Sequence, residues 1–161
     1  MATSLPTVTV GLCVKNSAQT IKTAIQSLCS QTYPPQKIEL LVVDGNSQDG
    51  TLQLIRENLT APFGRIRFLT ENDGLGIARQ MVVVQANGKY IVWLDADMIL
   101  DPRYIENQVA YMEKHPNVGI AGGKYNIHIG HGLVADLENI VYAVDSVFGH
   151  RGKASKFGYL P

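Results

Sequence analysis

Asp95 and Asp97 are the residues of this chain best placed to do chemistry. They sit at the end of a short apolar run, Lys89 to Met98 (KYIVWLDADM). A run rich in aromatic and β-branched residues, too short for a bilayer span, reads as a buried strand. Successive side chains of a strand face opposite ways, so acids at i and i+2 point to one side wherever the extended conformation persists. Two carboxylates held that close repel, and burial further penalises their ionised forms. A hard divalent cation with oxygen ligands relieves both penalties. Two exposed acids on a solvated strand end are the alternative that spacing leaves open.

The elements that must position this pair alternate regularly. Thr7 to Val14 (TVTVGLCV), Ile38 to Val43 (IELLVV), Arg65 to Thr70 and Lys89 to Leu94 read as strands. Between them, Ile21, Ala24, Ile25, Leu28 and Cys29 form one apolar helical face, with Asn16 or Ser17 as its expected cap. Leu52, Ile55 and Leu59 mark a second helix, and Ile77 to Ala86 a third with Ala78, Met81, Val82 and Gln85 on one side. Arg103 to Lys114 follows Pro102 as a fourth, and Val118 to Ala121 reads as another strand. Strands alternating with amphipathic helices imply βαβ units, hence an α/β fold with a mostly parallel sheet and helices on both faces. After Gly122-Gly123 the alternation changes: Lys124 to Ile129 has period two, and Leu133 to Phe148 carries a helical stripe.

In open α/β sheets, ligands bind beyond the carboxyl ends of the strands. Val14-Lys15-Asn16, Asp44-Gly45-Asn46 and Asp95-Ala96-Asp97 all lie there. The glycine-bracketed turn Glu71 to Gly76 can join them, because a helix start of that kind offers backbone donors to an anion. Together they supply an acidic acceptor, a metal-binding acid and phosphate-facing donors, which is what a nucleoside diphosphate with its metal requires. Each part also has a plain structural use: the glycines allow tight turns, Asp49 caps a helix, and Lys15 and Arg79 are solvated cations. His128, His131 and His150 read as ordinary surface or core residues.

Composition narrows the classes. The 161 residues suit one domain spanning 1–161, and the formal charge is zero, so neither nucleic acid nor an anionic lipid surface is favoured as a general partner. Met1 to Pro6 lacks the basic start of a secretory signal, and Cys13 and Cys29 lack Cys-x-x-Cys spacing. Both thiols are expected reduced and half-buried, in a protein of the cytoplasm or of the cytoplasmic face of a membrane.

Four motifs, in order, carry a more specific resemblance: VTVGLCVKN, LVVDGNSQDGT, NDGLGIARQ and GKYIVWLDAD. From Val8 to Ala121 the chain resembles the family 2 glycosyltransferases of the GT-A fold, a Rossmann-like architecture that binds nucleotide-diphosphate sugars. The resemblance implies that Asp44 accepts a hydrogen bond from the base. It places Asp95 near the ribose and base with Ala96 beside it, and gives Asp97 a role ligating Mg²⁺ or Mn²⁺ on the diphosphate. Cys13 and Lys15 stand where the family lines the base and ribose pocket, and Arg79 borders the nucleotide. The implied activity is inverting, metal-dependent transfer of a sugar to a saccharide, lipid phosphate or protein acceptor. Homo-oligomerisation and membrane association through regions outside this chain stay open.

Two departures from the family pattern stand out. Cys13 replaces a common proline, and Ser17 stands where an acid often follows the asparagine. An acceptor-side base is also not evident, since Asp136, Glu138 and Asp145 lie on a helical pattern. This leads to an expectation of donor binding with little transfer by residues 1–161 alone. The alternative is a non-catalytic nucleotide-sugar-binding or interaction module. A dinucleotide oxidoreductase is disfavoured, because no Gly-x-Gly-x-x-Gly follows the first strand. A phosphatase of the Asp-x-Asp type is disfavoured because the motif follows the fourth strand rather than the first.

Overall fold

The computed structural model describes residues 4–123. The chain divides into two units, Met1–Ala121 and Gly122–Pro161, and every strand and helix described belongs to the first. The period-two segment, the helical stripe, the three late histidines, Asp136, Glu138 and Asp145 lie outside the described residues.

Strands β1 (Val8–Val14), β2 (Ile38–Asp44), β3 (Arg65–Thr70) and β4 (Tyr90–Trp93) form one parallel sheet in the order β3-β2-β1-β4. β1 and β2 are buried almost throughout, as strands covered on both faces must be. Helices α1 (Ile21–Cys29), α2 (Thr51–Asn58) and α4 (Tyr104–Lys114) cover one face, and α3 (Leu75–Gln85) covers the other. On the first face Val8, Val10, Leu12 and Val14 of β1 meet Ile21, Ile25 and Leu28 of α1, Ile55 of α2, and Ile105 and Val109 of α4. On the second, Leu41 and Val43 meet Ala78 and Val82, with Cys13, Leu69 and Ile91 packed alongside. The doubly covered α/β sheet expected from the alternation is therefore present.

Gly11 makes the close seating of α3 achievable. A Cβ there would stand 2.6 Å from Val82 Cγ1 and 2.9 Å from the Trp93 ring. Just past the C-terminus of α3, buried Glu39 of β2 accepts from the Thr9 hydroxyl at 2.7 Å, Asn87 N at 2.9 Å and Asn87 Nδ2 at 2.8 Å, and pairs with Arg67 at 3.4 Å. Burial alone would raise the Glu39 pKa, but these donors and the Arg67 charge outweigh it and hold the carboxyl below its ordinary value.

Three expectations need correcting. Val118–Ala121 is not a strand: no ladder partner runs beside it among the described residues, and Ile120 is 87% exposed. A short apolar run becomes a strand only where its backbone finds another to bond. Neither Asn16 nor Ser17 caps α1 with its side chain; the Ser17 carbonyl accepts from Thr20 N and Ile21 N instead. Asn16 is drawn away because its Oδ1 accepts from Gln48 N at 2.9 Å. Finally, the extended backbone needed for the i, i+2 convergence of Asp95 and Asp97 does not persist. The β1–β4 register ends at Gly11 and Trp93, Leu94 N makes the last bond back to Gly11 O, and Met98 N then closes a turn on Asp95 O at 3.0 Å.

Candidate functional site

β4 leaves β1 on the side opposite β2, so the direction of strand addition reverses at β1. That reversal opens a crevice beyond the carboxyl ends. Register fixes which residues reach it: Val14 pairs with Asp44, and Asp44 with Thr70.

Two of its loops are locked to each other. Asn16 N donates to Ser47 Oγ at 2.9 Å, Ser17 N to Thr51 Oγ1 at 2.8 Å, and Ala18 N to Asp49 Oδ2 at 2.9 Å. Asn16 and Asn46 take positive φ, 49° and 63°, a conformation asparagine tolerates better than most residues. Asp49 does act at the start of α2: its Oδ1 accepts from Thr51 Oγ1 at 2.5 Å and Thr51 N at 3.1 Å. The Thr51 hydroxyl and the Ala18 amide hold its carboxyl below the ordinary value. Asp44, only 3% exposed, shares this scaffold. Its Oδ1 accepts from Ser47 Oγ at 2.6 Å and Ser47 N at 3.2 Å, and its Oδ2 lies 3.1 Å from the same amide.

The α3 face of the crevice is built by strand parity. Cys13, Leu69 and Ile91 pack toward α3, so Lys15, Glu71, Trp93 and Asp95, each an even number of residues along, continue on that side. Asp44 follows Leu40 and Val42, which belong to the opposite core. Lys15 and Glu71 meet at Gly45, where a Cβ would stand 3.2 Å from Lys15 Cδ and 3.4 Å from Glu71 Oε1. Arg79, from the first turns of α3, reaches Asp95 Oδ1 at 3.3 Å and lies 5.7 Å from the Trp93 ring centre. Burial pushes the Cys13 thiol up; Asp95 and Glu71 add to the rise and Arg79 opposes it. Cys13, Lys15, Arg79 and Asp95 are thus brought together, with Asp44 at the same sheet edge on the other face.

Ala96 and Asp97 occupy the turn after Asp95. Its two ends are anchored by Leu94 and Leu100, 0% and 5% exposed, and Leu100 N donates to Ser27 Oγ of α1 at 3.1 Å. Asp97 is exposed and makes no hydrogen bond or ion pair among the described residues. No group of three metal-ligating side chains occurs among the described residues. Asp95 and Asp97 are the carboxylates at this turn that could hold a cation.

Sequence reasoning misses Glu71, which reads only as part of a turn. Glu71 is 8% exposed, and its Oε2 accepts from Asp73 N and Gly74 N, both at 2.8 Å. The available signal is an acid two residues beyond Leu69, one step past the last β2–β3 pair. Trp93, which its apolar run would bury, instead lies 36% exposed beside Arg79.

Among known proteins, the glycosyltransferase AglE of Haloferax volcanii is 32% identical to this chain over 141 residues, which cover 78% of this chain and 46% of that protein. A mannosyltransferase from Pyrobaculum calidifontis, solved with GDP-Man and Mn²⁺, superposes with a TM-score of 0.62 at 30% identity, over 68% of this chain and 33% of its own. S. aureus TarS residues 1–349, solved with UDP-GlcNAc, gives 0.61 at 26% identity, over 68% and 32%. The chain spans less than half the length of each of these. The sequence profile described as glycosyl transferase family 2 matches residues 9–154. With most of its length inside that profile and the GT-A fold shared with these structures, the chain belongs to glycosyl transferase family 2.

Proposed function

We propose that the crevice binds a nucleoside-diphosphate sugar with a divalent cation and that the protein transfers the sugar to an acceptor. The observation that carries this reading is the gathering of two available cations, Lys15 and Arg79, beside the exposed acidic turn at one sheet edge. Lys15 makes no ion pair among the described residues. The Arg79–Asp95 pair is half exposed on both sides, 46% and 49%, so it is worth no more than ~1 kcal/mol and opens readily. Both cations can then turn to a diphosphate. The similar structures solved with GDP-Man and with UDP-GlcNAc are consistent with a ligand of this class.

Each side chain has a part. Lys15 and Arg79 hold the diphosphate oxygens, Arg79 with the planar fork suited to them. Asp97, with Asp95 behind it, would hold Mg²⁺ or Mn²⁺; when bound, the ion offsets charge on the departing diphosphate. Cys13 lines the pocket as a small neutral thiol. Asp44 contributes mainly by fixing the loop through Ser47, with Oδ2 retaining acceptor capacity toward the nucleoside.

The test is a calorimetric titration of nucleotide sugars into the chain with and without MnCl₂. Wild-type protein should bind with Mn²⁺-dependent affinity, and Asp97→Ala should lose that dependence. Absence of binding by wild type, or an unchanged Mn²⁺ effect in Asp97→Ala, would count against the reading.

A further inference from the structure

The amino edge of the sheet, opposite the crevice, carries a reactive arrangement of its own. Asn87-Gly88 is the one Asn-Gly pair in the sequence. Asparagine followed by glycine is the dipeptide most prone to lose ammonia unaided, because glycine leaves its amide nitrogen unshielded and its backbone free to turn. Here the structure calls for both residues. Gly88 runs so close to β1 that a Cβ would stand 2.3 Å from Thr9 N and 2.7 Å from Val8 C, both backbone atoms. Asn87 donates twice to buried Glu39, through N to Oε2 at 2.9 Å and through Nδ2 to Oε1 at 2.8 Å. Asn87 is also exposed, so water reaches it.

The same contacts tie down the reacting groups. The Gly88 N–H donates to Thr9 Oγ1 at 2.9 Å, the Thr9 hydroxyl donates onward to Glu39 Oε2 at 2.7 Å, and Lys89 N donates to Thr7 O at 2.8 Å. Ring closure requires the Gly88 nitrogen to shed its proton and swing onto Asn87 Cγ, an attack geometry that these bonds oppose. We propose that Asn87 is a site of spontaneous deamidation, gated by local opening of this corner, and that its conversion then disables the corner. In the first step a bond forms between Gly88 N and Asn87 Cγ and the Cγ–Nδ2 bond breaks. The side-chain nitrogen departs as ammonia, the balancing proton coming from Gly88 N. Water then opens the cyclic imide at either carbonyl, leaving an aspartyl residue or its β-linked isomer at position 87. Glu39, 3% exposed and held ionised, would face a carboxylate oxygen where it had a donor. Like charges beside a buried carboxylate repel. The β-linked isomer also lengthens the backbone ahead of Gly88 and draws its N–H away from Thr9.

The test follows conversion by peptide-mapping mass spectrometry in the full chain and in the free hexapeptide of residues 85–90. The peptide should convert at least about tenfold faster than the folded chain, the opening equilibrium making the difference. Urea below the unfolding midpoint should raise the rate in the chain. So should Thr9→Val, which keeps the side-chain shape but removes the acceptor of Gly88 N. Asn87→Asp, which makes one product directly, should melt several degrees below wild type, loss of folding being the extreme of the same effect. A wild-type rate equal to that of the peptide, no product even in urea, or a Thr9→Val rate no faster than wild type would each overturn the gating. An Asn87→Asp chain that melts with wild type would overturn the damage assigned to conversion. The comparison of wild type with peptide requires no variant to fold.

Discussion

At the scale of single residues, environment decides which side chains are free to act. The Cys13 thiol is held above its ordinary pKa, first by burial and then by Asp95 and Glu71. Little thiolate therefore forms at neutral pH, and reaction with a disulfide reagent should be slow there and accelerate only above the usual thiol range. A neutral-pH rate as fast as a free thiol would contradict this. Asp97 is the opposite case, exposed and unpaired among the described residues. Its replacement by Ala should change the melting temperature little, the common result for surface substitutions away from packing and caps. Calorimetry would report the loss of cation dependence, and a thermal scan would report the intact fold. These assignments are readable because aspartates and lysines after apolar strands are conspicuous in sequence. Glu71 is not, because its setting depends on β3 pairing with β2 and on Gly45 leaving room, two facts separated by more than twenty positions along the chain.

At the scale of elements, strands and helices follow their hydrophobic periods closely. β3 begins and ends where its pattern predicts, Arg65–Thr70, and the other strands differ only at their ends. What the pattern cannot supply is partnership. Val118–Ala121 has strand composition but no neighbouring strand among the described residues, and Asn16 prefers Gln48 to the first turn of α1. The seat of α3 on the sheet makes two element-level predictions. Gly11→Ala forces a methyl into Val82 and Trp93 and should cost roughly 1–3 kcal/mol, the usual penalty of overpacking. Denaturant unfolding measures it, with the midpoint falling and the slope unchanged. Glu39→Ala removes the buried acceptor of the Thr9 hydroxyl and the Asn87 amide and leaves Arg67 its Gln85 contacts alone among the described residues, and should cost about 3–5 kcal/mol by the same measurement.

For the molecule as a whole, carboxylates with depressed pKa values, Glu39 and Asp49 among them, give stability a definite pH dependence. Glu39 and Asp49 both titrate below their ordinary values of 4.5 and 3.8 in the folded state. A group with a depressed folded pKa contributes fully above its unfolded value, and the contribution is lost as pH falls through the folded value. Thermal midpoints should therefore be level near neutrality and drop below about pH 4.5, the drop shrinking in Glu39→Gln. A flat profile in acid would exclude the linkage.

The bonds from Asn16, Ser17 and Ala18 to Ser47, Thr51 and Asp49 tie two stretches of chain some thirty residues apart into one wall. Neither stretch can be exchanged alone. A graft that imports the first from a relative without the second should yield a poorly folded hybrid, whereas transplanting both together should succeed. Substitutions at Asn16 and Ser47 should likewise show strong epistasis, the double change costing far less than the sum of the single ones. Diversification of this wall must then proceed by paired replacements.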